Sequence, residues 1–103
     1  MNIIRSKSFI TDKAWDNLPI ANIQGITAKL HWSDKPYIWH TNDGEEIFVV
    51  LDGKVQMFYM EDEQEKSTIL EVGDIFYAQN GDRHKAVPLK ESRMLVVEKE
   101  GSI

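Results

Sequence analysis

The chain has 103 residues, of which 42% are hydrophobic and 28% charged, and its formal net charge is −5 at pH 7. This length and composition predict one globular domain spanning residues 1–103 and exclude a long disordered tail. The acidic balance argues against a nucleic-acid-binding protein, because such proteins usually present a basic face. The absence of cysteine excludes disulfides, thiol nucleophiles and zinc–thiolate sites.

No targeting or membrane segment is expected. The start, "MNIIRSKSFI", lacks the apolar core and the cleavage site of a signal peptide. The longest apolar runs, "IFVVL" and "MLVV", are far too short to span a bilayer. We therefore expect a cytoplasmic protein with no membrane partner.

One short N-terminal segment is expected to be helical or irregular, and the rest of the chain has strand patterns. In "TDKAWDNL", Thr11 can cap a helix of at most two turns, and Pro19 follows its end. "GITAKLHW" alternates apolar and polar side chains as a strand does. "EIFVVL" and "KVQMFYM" flank Asp52-Gly53, which predicts a two-residue hairpin, and "MEDEQEKST" contains the loop of a second hairpin. Further strands are expected in "TILEV", "IFYAQ", "HKAV" and "RMLVVEK". About seven short strands with turns every 8–12 residues or so predict an all-β antiparallel barrel or sandwich.

Several predicted strands are apolar on both faces. In "EIFVVL", the side chains of Ile47, Val49 and Leu51 oppose those of Phe48 and Val50. A small antiparallel barrel is expected to leave one face in water. The second apolar face must therefore be covered by the N-terminal segment or by a second subunit, and we predict a homodimer.

Three side chains with nitrogen or carboxylate lone pairs, those of His40, Glu46 and His84, are placed to meet inside one end of such a barrel. Strand alternation puts His40 and Asn42 on one face, and it puts Glu46 on the same face as Phe48. If Phe48 points inward, so does Glu46, and His84 follows the turn before the next strand pair. Imidazole and carboxylate groups buried without partners are costly, and a divalent cation would satisfy them.

The spacing of these residues resembles the two motifs of the cupin superfamily, G-x5-H-x-H-x3,4-E-x6-G and G-x5-P-x-G-x2-H-x3-N. The matching positions are His40, Asn42, Glu46, Gly53, Gly73, Gly81 and His84. The resemblance covers about residues 25–98 and implies a small single-domain cupin with a jelly-roll β-barrel.

Four positions depart from the motifs of the superfamily. Asn42 stands where a second histidine is usual, Gln79 replaces the proline, and Pro88 replaces the final asparagine. Asp34 occupies the place of the first glycine. The change at position 42 removes the usual guide to metal preference.

By this resemblance His40, Glu46 and His84 are ligands of a divalent metal ion, Fe, Mn, Ni or Zn. Two imidazoles and one carboxylate with open positions suit Fe(II). Asn42 would be either a fourth, oxygen ligand or a hydrogen-bonding residue beside the ligands. Because a neutral amide binds late transition metals less tightly than imidazole does, it favours Mn(II) or Fe(II), or partial occupancy.

Two functions follow from the resemblance. The first is a metal-dependent oxygenase, isomerase or lyase acting on a small oxygen-rich molecule, with Glu46 as the catalytic carboxylate that accepts a proton. The alternative is a barrel that binds or senses a small molecule without catalysis and has lost its metal with the second histidine.

Three aromatic or imidazole side chains near this set are not expected to be ligands. His31 alternates with Leu30 and Trp32, so a surface or dimer-contact role is favoured over a ligand role. Tyr37 and Trp39 have the opposite parity to His40, which favours packing or an interface for both.

Overall fold

The computed structural model describes residues 1–102, which form two antiparallel sheets preceded by a 3-10 turn at Ser6–Ser8. The strands are β1 Asp16–Ile23, β2 Ile26–Ser33, β3 His40–Thr41, β4 Glu46–Asp52, β5 Val55–Glu61, β6 Gln64–Leu70, β7 Ile75–Ala78, β8 Arg83–Pro88 and β9 Ser92–Lys99. One sheet has the order β1-β2-β9-β4-β7, and the other has the order β3-β8-β5-β6. The predicted all-β antiparallel fold is confirmed, with more strands than the seven or so expected. In the described part of the chain, no helix is long and apolar enough to cross a membrane.

The hydrophobic core lies between the two sheets, and both sheets contribute to it. The buried core residues are Phe48, Val50, Met94 and Val96 from the five-stranded sheet and Val55, Met57, Leu70 and Ala86 from the four-stranded sheet. Alternation along the strands turns these side chains to the same inner side. The register therefore also fixes which polar side chains point inward.

The helix predicted for residues 11–18 is wrong, because β1 begins within this segment at Asp16. The Thr11 hydroxyl does not cap a helix but donates to the Asp16 carboxylate at 2.9 Å. Trp15 has a φ of 60°, which a right-handed helix does not allow. Long-range pairing of β1 with β2 over most of its length outweighs the weak local preference for a helix.

The hairpin predicted at Asp52-Gly53 is also wrong, because β4 and β5 belong to different sheets. The turn instead passes the chain from one sheet to the other, and Asp52 is held there by a 2.7 Å ion pair with Arg93. The second predicted hairpin does form, between β5 and β6, with Glu61 opposite Gln64.

The outer face of the five-stranded sheet is apolar and only partly covered. At one end Leu30 and Trp32 are 1% and 5% exposed, and the N-terminal segment is fixed there by a hydrogen bond from Arg93 Nε to the Phe9 carbonyl. Elsewhere on this outer face large apolar side chains remain in contact with water. They are Ile23, Ile26, Ile47, Ile75 and Tyr77.

Candidate functional site

Three strands bring the two predicted histidines and the predicted glutamate together. His40 of β3 lies opposite His84 of β8 in the sheet register, and Glu46 is the first residue of β4. One potential ligand atom from each of the three residues lies within 4.8 Å of the other two. The convergence expected from strand alternation is therefore present in the structure.

The two imidazoles face the same carboxylate oxygen. His84 Nε2 lies 3.1 Å from Glu46 Oε1, and His40 Nε2 lies 4.0 Å from it. All three side chains are buried, with 8% or less of their surface exposed. These atoms surround one point, as the donors of a mononuclear metal site do.

The Asn42 amide joins two members of this cluster. Its Oδ1 lies 2.6 Å from His84 Nε2, and its Nδ2 donates to Glu46 Oε1 at 3.2 Å. Nδ2 also donates to the Gly44 carbonyl at 3.3 Å. Asn42 is buried, so the amide that replaces the usual second histidine still belongs to the cluster.

The tautomers available to the histidines fit a metal ion. His40 Nδ1 lies 3.2 Å from the Ile38 carbonyl, which can only accept, so Nδ1 carries the hydrogen and Nε2 keeps its lone pair. His84 Nε2 faces two acceptors, Asn42 Oδ1 at 2.6 Å and Glu46 Oε1 at 3.1 Å, so Nε2 carries the ring hydrogen in this arrangement. A metal ion at Nε2 would require that hydrogen to move to Nδ1, which is buried without a partner among the described residues. Two imidazole nitrogens and one carboxylate oxygen suit Fe(II), Mn(II), Ni(II) or Zn(II).

The charge state of the cluster also suits a cation. Burial opposes ionisation of Glu46, but hydrogen bonds and charge interactions with His84 and Asn42 outweigh it and hold the pKa of this carboxyl below its usual value. Burial, and then the neighbouring His84, lowers the pKa of His40. At neutral pH the cluster therefore offers a carboxylate and an uncharged imidazole at position 40, the forms that bind metal.

A cavity of about 290 Å³ opens onto the cluster. Its wall includes three neighbouring rings, those of His31, Trp15 and Tyr37. The His31 and Trp15 ring centroids are 6.2 Å apart, and the Trp15 and Tyr37 centroids are 5.0 Å apart. The Tyr37 ring then meets the His40 ring at 5.5 Å. Tyr37 thus lines the cavity, whereas Trp39 lies outside it beneath the Lys85 ammonium.

The surface or dimer-contact role favoured for His31 is wrong. Strand alternation correctly separates His31 from Leu30 and Trp32, but the two faces are the reverse of those assumed. Leu30 and Trp32 are buried on the outer side of the sheet, and His31 faces the cavity. When both faces of a strand are buried, its own sequence does not show which face lines the cavity.

Sequence reasoning missed two charged residues of the cavity, Glu98 and Lys29. Glu98 lies directly opposite Glu46 across the β4–β9 ladder. The alternation of Met94, Val96 and Glu98 carries the same signal that placed Glu46 inside, and it could have identified Glu98 as well.

Glu98 is expected to make the metal-free protein less stable as the pH rises. Burial, and then repulsion by Glu46, raises its pKa from 4.5 to about 7. The folded state thus holds this proton more tightly than the unfolded state does, and stability falls between pH 4.5 and about 7. Glu98→Gln should leave the melting temperature unchanged near pH 4.5. At pH 8 the substitution removes the cost of the buried negative charge and should raise the melting temperature. Because water screens the half-exposed carboxylate, this gain in stability is only about 1 kcal/mol, or about 4 °C.

Thermal unfolding of chelator-treated protein at the two pH values measures this difference. Comparison with the wild type cancels the contribution of the other titrating groups. A variant that melts at or below the wild-type temperature at pH 8 would show that the Glu98 carboxylate carries no penalty.

The fold of this chain recurs in solved structures. A cupin-2 domain protein from Shewanella frigidimarina is 23% identical, with a TM-score of 0.77 over 87% of this chain and 85% of that one. Hydroquinone 1,2-dioxygenase PnpCD in complex with Fe3+ is 17% identical, with a TM-score of 0.77 over 87% of this chain and 29% of that one. The hydroquinone 1,2-dioxygenase from Sphingomonas sp. TTNP3, with 4-hydroxybenzoate bound, is 20% identical, with a TM-score of 0.75 over 86% of this chain and 28% of that one.

At these identities the similarities establish the fold alone. No curated protein sequence matches the chain. The model of one family, described as the cupin domain, matches residues 31–98, which include all three residues of the cluster and Asn42. The chain therefore belongs to the cupin-domain family.

Proposed function

We propose that the protein binds one divalent metal ion through His40, Glu46 and His84 and presents it to a small oxygen-rich molecule in the adjacent cavity. The observation that carries this proposal is the approach of three buried donor atoms to within 4.8 Å of one another at the cavity wall. A bound ion would supply Lewis-acid chemistry, polarising a ligand oxygen. The hydroquinone 1,2-dioxygenase of similar fold whose structure is a complex with Fe3+ supports the assignment.

The residues around the proposed ion have separable roles. His40 and His84 would supply nitrogen donors, and Glu46 would supply the charge. Asn42 holds Glu46 and His84 in place through its 3.2 Å and 2.6 Å contacts. The sequence predicted Glu46 as the proton acceptor, but a carboxylate with a lowered pKa suits metal binding better than proton transfer. We propose Glu98 as the proton acceptor, because it is a second carboxylate at the cavity wall, directly opposite Glu46 in the sheet register.

We place the reaction among the oxygenase, isomerase and lyase reactions that the sequence resemblance implied. In each of them the side chains of this chain would hold and orient the substrate oxygens. The ring wall and the apolar side chains of Phe48, Ala86 and Val96 make part of the cavity lining hydrophobic.

Elemental analysis of protein purified without chelator tests the metal assignment. We expect about one Fe, Mn, Ni or Zn ion per chain. After the ion is removed, titration with Mn(II) or Fe(II) should restore the same stoichiometry. Background metal in both experiments would overturn the proposal.

The alternative function is non-catalytic binding of a small molecule without metal, and one observation favours it. Asn42, Glu46 and His84 already satisfy one another by hydrogen bonds, with no ion required to offset their burial. Background metal together with an organic ligand retained through purification would support this alternative.

We also propose that the protein is a homodimer formed through the uncovered apolar part of the outer face of the five-stranded sheet. This face presents five large apolar side chains that are each at least 41% exposed, and apolar surface grouped in this way marks protein contacts: Ile23, Ile26, Ile47, Ile75 and Tyr77. Light scattering at tens of micromolar should give about twice the chain mass of 11.9 kDa. Ile75→Glu should shift the mass to the monomer, whereas Ile69→Glu on the opposite sheet should not. A monomeric wild type would contradict the proposal.

A further inference from the structure

We infer that the cavity takes a flat organic acid, whose carboxylate binds the Lys29 ammonium while oxygen donors at its other end face His40, Glu46 and His84. This inference rests on the proposed metal binding. It adds a substrate class and a specificity-determining residue, Lys29, which lies on a different strand from the metal cluster.

Lys29 is a cation placed inside the cavity without a partner. In the register of the sheet it pairs with Val96, which in turn pairs with Phe48, and all three line the cavity. In the part of the chain that the structure describes, no carboxylate lies within 4.0 Å of the Lys29 ammonium, and it is the only lysine or arginine at the cavity wall. Because this half-buried ammonium makes no direct ion pair, it is free to bind an anion that enters the cavity.

The distance between Lys29 and the cluster fits a small acid. Lys29 is on β2 and Glu46 is on β4, with β9 between them. Two strand spacings amount to about 10 Å, which a single ring with a carboxylate on one side and oxygen donors on the other can span. A cavity of about 290 Å³ is at the lower end of the range for ligand sites, so it excludes larger molecules.

The wall between the two ends favours a flat ligand. The rings of His31, Trp15 and Tyr37 follow one another from β2 toward His40, with centroids 5.0 to 6.2 Å apart. Aromatic walls of this kind stack against planar groups and bury them at low conformational cost. Apolar side chains also line the cavity, namely Phe48, Ala86 and Val96.

The charge balance of the cavity couples acid binding to the metal. Glu46 and Glu98 face Lys29 from the neighbouring row of the sheet, so two potential negative charges oppose one positive charge. A bound divalent ion reverses this balance and makes the cavity electropositive. The acid is therefore expected to bind after the ion and poorly without it.

Calorimetric titration of the Mn(II)-loaded protein with 3,4-dihydroxybenzoate and with catechol tests this inference, because the two probes differ only in the carboxylate. The wild type should bind the acid about tenfold more tightly than catechol, as one charge-assisted hydrogen bond provides. Lys29→Met should remove this preference while leaving catechol affinity unchanged, and Lys29→Arg should restore most of it. Lys90→Met, a matched change at an exposed lysine outside the cavity, should have no effect.

The metal content of every sample separates failure of this inference from failure of the proposed function. If the wild type holds no ion, the proposed function is overturned. If it holds one ion per chain but shows no preference for the acid, or binds neither probe, the assignment of Lys29 is overturned and metal binding stands. A preference that persists in Lys29→Met would likewise contradict it.

Discussion

His84→Ala is expected to weaken divalent metal binding at least about a hundredfold. The substitution removes one of the three donors, and even loss of a residue that only supports a metal ligand costs about 10- to 100-fold in affinity. It also removes the contact that His84 Nε2 makes with Glu46 at 3.1 Å, so the remaining carboxylate loses part of its orientation. Competition titration of the apoprotein against a chelator dye measures the change in dissociation constant.

His31→Ala provides the matched control for this prediction. His31 is an imidazole in the same cavity, with its ring 6.2 Å from Trp15, but it does not belong to the three-residue cluster. Its removal should change metal affinity less than about threefold. Equal losses in the two variants would mean that the cavity needs its histidines for folding or charge, and the ligand assignment of His84 would then be wrong.

Gly53→Ala is expected to destabilise the protein by about 3–5 kcal/mol, which would lower its melting temperature by roughly 12 °C or more. Gly53 has a φ of 88°, where an L side chain is strained. A Cβ there would lie 2.5 Å from the Glu91 carbonyl oxygen and 2.7 Å from Ser92 Cα, both backbone atoms that cannot move aside easily. Ser92 is fully buried and hydrogen-bonded to Lys54, so the overlap also disturbs the turn between the sheets.

Gly25→Ala separates the two causes of this loss. Gly25 has nearly the same φ, 87°, but a Cβ there would meet no atom within 4 Å. The control should therefore lose only about 1 kcal/mol, the cost of the backbone conformation. Chemical denaturation of both variants measures the difference, and equal losses would show that the contact with residues 91 and 92 carries no cost. If Gly53→Ala is insoluble while Gly25→Ala folds, the same conclusion about the contact follows.

The fold was largely predictable for two reasons. The strands show a local alternation of apolar and polar residues, and the spacing of the two cupin-like motifs indicates the topology. "GITAKLHW" and "EIFVVL" correspond to β2 and β4. The errors occurred where distant residues decide the structure. Residues 11–18 carry a helical start signal, yet β1 forms there because β2 offers it a partner. Asp52-Gly53 is a turn, but only the pairing of β4 with β7 and β9 shows that the turn joins two sheets.

The cluster was predictable because His40, Asn42, Glu46 and His84 follow a recognisable spacing, and the structure brings all four together. The sequence left open whether Asn42 is a ligand or a support. In the structure its Nδ2 already donates to Glu46, so its amide serves at least to hold that carboxylate.

The rest of the cavity could not be derived in the same way. Lys29 and His31 alternate with apolar residues, and alternation defines two faces without identifying the lumen. Trp15 lies in a segment whose structure was predicted incorrectly, so its place beside Tyr37 had no local signal. The positions of such residues around the cavity depend on the register of the strands. That register is set by strand pairing between distant parts of the chain.

Crystals of the protein grown with Mn(II) and measured for anomalous scattering test the central claim most directly. We expect one strong peak per chain between His40 Nε2, His84 Nε2 and Glu46 Oε1, and no peak at that position in His84→Ala. The claim would be contradicted if no anomalous peak appeared at this position, if Asn42, Glu46 and His84 remained in direct contact with one another, and if any manganese were bound elsewhere on the surface.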